Sequence, residues 1–463
     1  MRRPLLPLLA LLLAGCSLTP DLTMPEMALP ASYGNDQPAT LTAPAAWWTL
    51  FGSPELDRLE QAALAANHDL RAAIARIEQA EAQLKIAGSP LLPTIGAAGS
   101  GANRMTHGSS SATSTVARSS SATTARSFQG SLTASYEVDF WGKTRASIQS
   151  AEAALRASQF DRDTVALTLT ADVATTWLQA LALGDRVQVA RRNLEIARQT
   201  LDLAEKQAAF GKTSDLEAAQ QRSTVASIEA QLPALELQRQ QTVDALAILT
   251  GLAPSQLRLE NTSLAGLPAP VVQAGLPSDL LRRRPDIARA EADLTAANAN
   301  IGVARAQLFP TLSLTGEGGY SSPYLISLVD AHNTFWSLGA SLTATLFDNG
   351  KLQGNVELAE ARLRESAEGY QSTVLTALKE VEDSLAGVRW LAEQEDAQAR
   401  AVTAAREAQR LSDVRYREGA VEYLTVLEAQ RTLLNTEDNA VQVRLSRLNA
   451  SVGLVKALGG GME

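Results

Sequence analysis

The chain has 463 residues, of which 45% are hydrophobic and 20% charged, with a formal net charge of −9. That hydrophobic share excludes a disordered chain, and an acidic balance without a long basic tract argues against nucleic acid as a partner. A single cysteine, Cys16, excludes intrachain disulfides.

In chain order, Met1-Arg2-Arg3 precedes a mostly apolar run over residues 5–14, which ends in Leu13-Ala14-Gly15-Cys16. The run is too short to span a bilayer and carries small residues where a signal peptidase cuts. The segment resembles a bacterial lipoprotein signal with its lipobox, which implies a signal peptide over residues 1–15 and a mature chain that begins at an acylated Cys16. A buried structural thiol is the alternative for Cys16. Ser17 stands where Asp would be the usual inner-membrane retention signal, so the resemblance favours the outer membrane. Residues 16–53 then form a lipid-anchored extended segment, in which Trp47 and Trp48 are expected to pack belt-like around helices, with ligand stacking as the alternative. No later run approaches the roughly 20 apolar residues of a transmembrane helix, so any spanning structure has to be a β-barrel.

The rest of the chain contains one fold twice. Trp141-Gly142-Lys143 recurs as Asn349-Gly350-Lys351, Gly211 as Gly419, and Gly251 as Gly459, at a constant offset of 208 residues. Earlier in each copy the offset is 217, pairing Asp69 with Asp286 and Pro93-Thr94 with Pro310-Thr311. The first copy therefore carries nine extra residues, and the Ser/Thr tract over 104–126 is the place for them, as a tolerant loop tip. The expected division is a first repeat over 54–260, with a hairpin at 94–140, and a second over 261–463, with a hairpin at 311–347.

Strict period-two alternation predicts strands. From 128 to 140, Phe128, Gly130, Leu132, Ala134, Tyr136, Val138 and Phe140 alternate with Gln129, Ser131, Thr133, Ser135, Glu137 and Asp139. The second copy repeats this over 336–346, and the hairpin partners are expected at 94–103 and 311–320. A strand of about 13 residues tilted near 45° rises about 30 Å, the depth of the hydrocarbon core. Aromatic residues Tyr136, Phe140, Trp141, Tyr320, Tyr324, Phe335, Trp336 and Phe347 lie near strand ends, as an interfacial girdle requires. An ordinary sandwich hairpin with one wet face is the alternative.

Between the hairpins the chain reads as helix. Residues 143–209 and 351–417 contain no proline and are rich in Ala, Leu, Glu, Gln and Arg. At 1.5 Å per residue each would extend roughly 100 Å, too long for a compact domain, so these helices should lie side by side in a coiled-coil-like wall. Shorter helices are expected at 54–87, 216–249, 285–307 and 424–458. Leu427, Leu434, Val441, Leu448 and Val455 mark a heptad seam in the last, and Pro233 should kink the first copy alone. Four strands cannot close a barrel, and an open edge is forbidden in lipid, so a membrane role forces several chains into one barrel.

Several longer motifs now converge. They are Trp47-Trp48-Thr49-Leu50-Phe51-Gly52-Ser53-Pro54-Glu55-Leu56, Ala66-Asn67-His68-Asp69-Leu70, Arg283-Arg284-Pro285-Asp286-Ile287, Tyr416-Arg417-Glu418-Gly419 running into Leu424-Thr425-Val426-Leu427-Glu428-Ala429-Gln430-Arg431, and Lys456-Ala457-Leu458-Gly459-Gly460-Gly461. With them the chain resembles the outer-membrane efflux proteins, the TolC-like outer membrane factors. The lipobox is similar to that of the lipoprotein branch serving resistance-nodulation-division pumps. The resemblance implies a mainly α fold with a membrane β-barrel: a duplicated helix–hairpin–helix unit, trimeric, with a twelve-stranded barrel continuous with a long α-helical barrel. It implies a passive duct for small molecules in the outer membrane, set in its lipid and completed by a periplasmic adaptor protein and an inner-membrane pump, with no enzyme activity and no cofactor. A structural coiled-coil lipoprotein that tethers envelope layers without a pore is the alternative, and the paired amphipathic hairpins speak against it.

By the same resemblance Gly211 and Gly419 are the periplasmic tips that contact the adaptor, and Leu424 and Glu428 form the gate. Four residues apart, these last two share one helix face; the resemblance points that face into the channel, while seam packing for Leu424 and a solvated charge for Glu428 is the plain alternative. Relatives often carry Asp where Glu428 stands. His68, His107 and His332 are scattered with no ligand cluster, so no metal is expected. Neither a phosphate loop nor a nucleophile elbow occurs. Arg282, Arg283 and Arg284 read as a solvated helix start ahead of Pro285, with a binding patch as the alternative.

Overall fold

The computed structural model describes residues 18–34, 43–107 and 122–461. Cys16, the signal segment and the middle of the Ser/Thr tract lie outside them. The chain divides into two compact units, Met1–Pro25 with Glu78–Arg156 and Glu291–Glu368, and Glu26–Ile77 with Ala157–Ala290 and Gly369–Glu463. Each draws segments from both halves of the sequence.

The first unit is built on an antiparallel sheet of β1 (Thr94–His107), β2 (Ala122–Val138), β3 (Thr311–Ser322) and β4 (Thr334–Thr343), in the order β1-β2-β3-β4. The register sets Ala97 opposite Leu132, Leu132 opposite Gly318, and Gly318 opposite Trp336. Directly paired residues share a face, so Ile95, Leu132, Leu314, Trp336, Leu338 and Leu342 stand together on one side, all exposed. Ser131, Thr133, Ser313, Thr315, Glu317, Ser337 and Ser341 occupy the other, where Gln129 donates to Glu317 at 3.1 Å. Beside the sheet, Trp141 stacks on Phe309 with ring centroids 4.6 Å apart and donates its indole N–H to the Pro310 carbonyl at 2.8 Å.

The strands depart from expectation at their ends. β2 starts six residues early at Ala122 and stops at Val138, short of Phe140, because the Asp139 carboxylate caps the next helix by accepting the Thr144 and Arg145 N–H groups at 3.0 and 3.1 Å. β4 runs from Thr334 to Thr343 and leaves Ala344 and Leu346 out, since β3 begins at Thr311, opposite Thr343. β1 and β3 run on to His107 and Ser322, past the expected ends at 103 and 320.

The helices are α1 (Pro54–Ala66), α2 (His68–Gly88), α3 (Lys143–Ala209), α4 (Asp215–Leu249), α5 (Leu280–Arg283), α6 (Pro285–Ala306), α7 (Lys351–Arg417) and α8 (Tyr423–Ala457). The two long ones have the expected 67 residues each. The single helix expected over 54–87 is two, broken at Asn67 with ψ 133°. Its side chain accepts the Asp69 and Leu70 N–H groups at 2.8 and 3.0 Å and donates to the Leu249 carbonyl at 3.0 Å, so a local cap and a long-range bond outweigh helix continuation. α4 continues through Pro233. Contrary to expectation, α3 holds an apolar stretch long enough to cross a bilayer, but 56% of it is buried inside the protein; Val173, Trp177, Leu178 and Leu181 are core residues of the second unit.

That core also takes Trp47 and Phe51, whose rings meet edge-on at 6.3 Å, with Leu246, Leu448, Leu454 and Val455. Ion pairs order the long helices within the unit. Arg191–Glu236 (2.7 Å) and Arg198–Glu229 (2.6 Å) join α3 to α4, a bidentate Arg186–Asp438 pair joins α3 to α8, and Glu395 binds Arg444 and Arg447 across α7 and α8. These pairs set α4 and α8 against α3, and α7 against α8. Arg284 corrects the expectation of a solvated run. It is buried, fork-bonded to Asp286 and also bonded to Glu380 (2.7 Å) and the Ala457 carbonyl (2.9 Å), so the guanidinium, held charged by these partners, locks the end of α8.

Candidate functional site: the paired helix turns

α3 turns into α4 at Gly211, and α7 turns into α8 at Gly419. Both glycines have left-handed φ, 68° and 72°. In the first turn Gly211 N–H reaches the Ala208 carbonyl and Lys212 N–H the Gln207 carbonyl, both at 2.9 Å. In the second, Gly419 reaches Tyr416 at 3.0 Å and Ala420 reaches Arg415 at 2.8 Å. These are Schellman caps, which need a residue without a Cβ penalty at the left-handed position. Ser214 then caps α4 by accepting the Leu216 N–H at 3.1 Å.

The two turns lie together. Tyr416 and Tyr423 flank Gly419, their rings 5.9 Å apart and edge-on, buried with Val426 and Leu427. Tyr416 donates its hydroxyl to Glu217 of α4 at 2.8 Å, and Tyr423 donates to the Gln221 side-chain oxygen. The Gln221 amide reaches the Ala197 carbonyl of α3 at 2.7 Å and Gln430 of α8 at 3.3 Å. Gln430 completes the circuit by donating to Thr200 at 2.7 Å. Three helices, α3, α4 and α8, are thus bonded through one buried polar network, and the separate Tyr416–Glu217 bond ties α7 to α4. Burial first, and the Glu217 charge second, push the Tyr423 hydroxyl up to about 12. Tyr416 is raised as well, by burial and then by its bond to Glu217; both phenols stay protonated donors.

Leu424 and Glu428 sit on the opposite face of α8. Both are exposed, Leu424 at 54%, while Tyr423, Val426, Leu427 and Gln430 point inward. Beside them a cavity of about 680 Å³ opens between the turns, lined among others by Lys212, Thr213, Glu217, Gly419, Glu422 and Leu424. Buried oxygens of Gln207 and Thr213 there have no partner. Sequence reasoning named Gly211, Gly419, Leu424 and Glu428 and missed the network that joins them. Its one visible trace was Gln221 and Gln430, glutamines on helix faces that are otherwise apolar. Cys16 lies outside the described residues. Among the described residues no group of His, Cys, Asp and Glu is placed to hold a metal.

The outer membrane efflux protein family model matches residues 59–252 and again 276–460. The pyoverdine export outer membrane protein OpmQ of Pseudomonas aeruginosa is 43% identical over 458 residues, covering 98% of this chain and 95% of that protein. The cation efflux system protein CusC of Escherichia coli O6:H1 is 31% identical, covering 98% and 97%. The solved outer-membrane channel OprN superposes with a TM-score of 0.88 at 27% identity, over 96% of this chain and 99% of that one. The chain belongs to the outer membrane efflux protein family, and it is an outer-membrane channel component of an efflux system.

Proposed function

We propose that three copies of this chain form a single passive duct, with their sheets closed into one twelve-stranded barrel in outer-membrane lipid. The observation that carries this reading is the sheet: one face exposes Ile95, Leu132, Trp336, Leu338 and Leu342, the other is polar, and β1 and β4 are its edges. Such edges cannot remain unpaired in lipid, so β1 of one copy pairs with β4 of the next. Exposed Leu237 and Ile248 on α4 and Leu375 and Trp390 on α7 supply apolar surface for the neighbouring copies.

In this duct the paired turns are the periplasmic end. Gly211 and Gly419 present the loops that a periplasmic adaptor grips, and the adaptor joins the duct to an inner-membrane pump of the resistance-nodulation-division type. Leu424 and Glu428 face the axis, where three copies make an apolar ring and an acidic ring. An acylated Cys16 adds an anchor beside the barrel. Because OpmQ, named for pyoverdine export, is nearer in identity than CusC, named for cation efflux, pyoverdine is the first solute to test.

Three like charges around a narrow axis attract cations and repel anions. Leu424→Ala, which opens the apolar ring, should raise resting conductance in planar bilayers, and Glu428→Gln should weaken cation preference. Unchanged conductance and selectivity in both variants would place the constriction elsewhere. Cys16→Ser should abolish lipidation, read by mass spectrometry of the mature N-terminus; an unmodified Cys16 in the wild-type protein rules the anchor out.

A further inference from the structure

Two sets of residues flagged in the sequence have no part in the duct: the Trp47-Trp48 pair and the arginine run 282–284. Within the second unit they meet around a cavity of about 350 Å³. Its interior is apolar, formed by Trp47, Trp48, Leu64, Phe160, Ala166 and Leu167. Gly459 and Gly460, with φ of 91° and 78°, bring the end of α8 against it; a Cβ on Gly460 would lie 3.0 Å from the Leu167 side chain, so the absence of side chains there keeps the space open.

The mouth is positively charged. Arg284 is spent on Asp286 and Glu380, but among the described residues Arg282 and Arg283 pair only with Asp279, at 3.4 and 3.9 Å, with side chains 83% and 44% exposed. Asp279 is further engaged by the Leu276 N–H at 3.2 Å. Asp163, the carboxylate in the cavity lining, pairs with Arg162 at 3.0 Å. Two planar guanidinium groups therefore keep unused donors at the rim of an aromatic and aliphatic chamber.

We infer that this cavity is a binding site for an amphiphilic organic anion, with a carboxylate or sulfonate head at Arg282 and Arg283 and a compact apolar body against Trp47, Trp48 and Leu167. A bidentate fork matches a planar carboxylate, and a mostly apolar pocket of a few hundred Å³ with few polar groups is the usual form of a small-molecule site. The site stands independently of the duct, since every residue lining it belongs to one unit of one chain.

The full-length protein in zwitterionic nanodiscs, titrated calorimetrically with 1-naphthoate, 1-naphthylmethylammonium and 1-naphthalenemethanol, tests this. Saturable binding of one naphthoate per chain is expected, with the cation and the alcohol at least about tenfold weaker, the size of one lost charge-assisted bond. The Arg282→Gln/Arg283→Gln double variant should weaken naphthoate by at least about tenfold while leaving the alcohol unchanged, and Leu64→Trp, which fills the chamber, should weaken all three probes. Absence of saturable binding, equal affinity for the three probes in the wild type, or naphthoate binding unaffected by both variants would overturn the proposal. If one variant fails to fold, the wild-type comparison of charge types still decides.

Discussion

At the scale of single residues, Glu60 of α1 is the least expected. It is fully buried and among the described residues neither carboxyl oxygen has a hydrogen-bond partner; burial first, and the Asp57 carboxylate one turn earlier second, push it from 4.5 up to about 9. A carboxyl raised in the folded state stays protonated there while the unfolded chain releases its proton. Its contribution to stability is therefore intact below about 4.5 and is lost as pH rises toward 9. The wild-type protein should melt at lower temperature at pH 8 than at pH 5, and Glu60→Leu should flatten that difference and stabilise the protein at pH 8 by about 2 kcal/mol, read by circular dichroism. Parallel pH profiles for the two proteins would remove Glu60 as the cause. The tip network makes the complementary case, in which every polar group is satisfied. Gln221→Leu strands the Tyr423 hydroxyl and the Gln430 side-chain oxygen and should cost about 1–3 kcal/mol, seen as faster hydrogen exchange around Gly211 and Gly419. Unaltered exchange there would mean the network does not hold the turns. Of these residues the sequence shows Gly211, Gly419, Leu424 and Glu428, because repeat position and spacing mark them. Tyr416, Glu217, Gln221 and Gln430 bond across separations of about 200 residues, which no local pattern encodes. Arg284 was misjudged for the same reason: its partners Glu380 and Ala457 are remote in sequence.

At the scale of elements, period-two alternation located β2 and β4, hairpin pairing then placed β1 and β3, and the lack of proline located both 67-residue helices to the residue. What escaped were the breaks and ends set by side chains, Asn67 dividing α1 from α2 and Asp139 ending β2. The sheet offers a test of its own pairing. A Cβ on Gly319 would fall 2.1 Å from the Gly130 carbonyl and 2.7 Å from the Ser131 Cα, whereas one on Gly99 meets nothing within 4 Å. Gly319→Ala should thus disrupt the junction of β2 with β3, the seam between the two repeats, and abolish heat-resistant oligomers on gels, while Gly99→Ala assembles normally. Equal yields of assembled protein from both variants would contradict the β2–β3 register.

At the scale of the whole molecule, duplication and the amphipathic sheet are the two facts that matter most. A duplicated unit with one hairpin per copy yields a four-stranded sheet, and a four-stranded sheet with one lipid-compatible face has no stable place in a bilayer by itself. Family membership establishes the outer-membrane efflux channel; the strand arithmetic requires more than one chain around its axis, and the proposed duct takes three. The most direct test is the mass of the detergent-solubilised protein by light scattering, corrected for bound detergent. The account predicts a single species of about three times the mass of the mature chain, three four-stranded sheets completing twelve strands. A well-behaved monomer would contradict it.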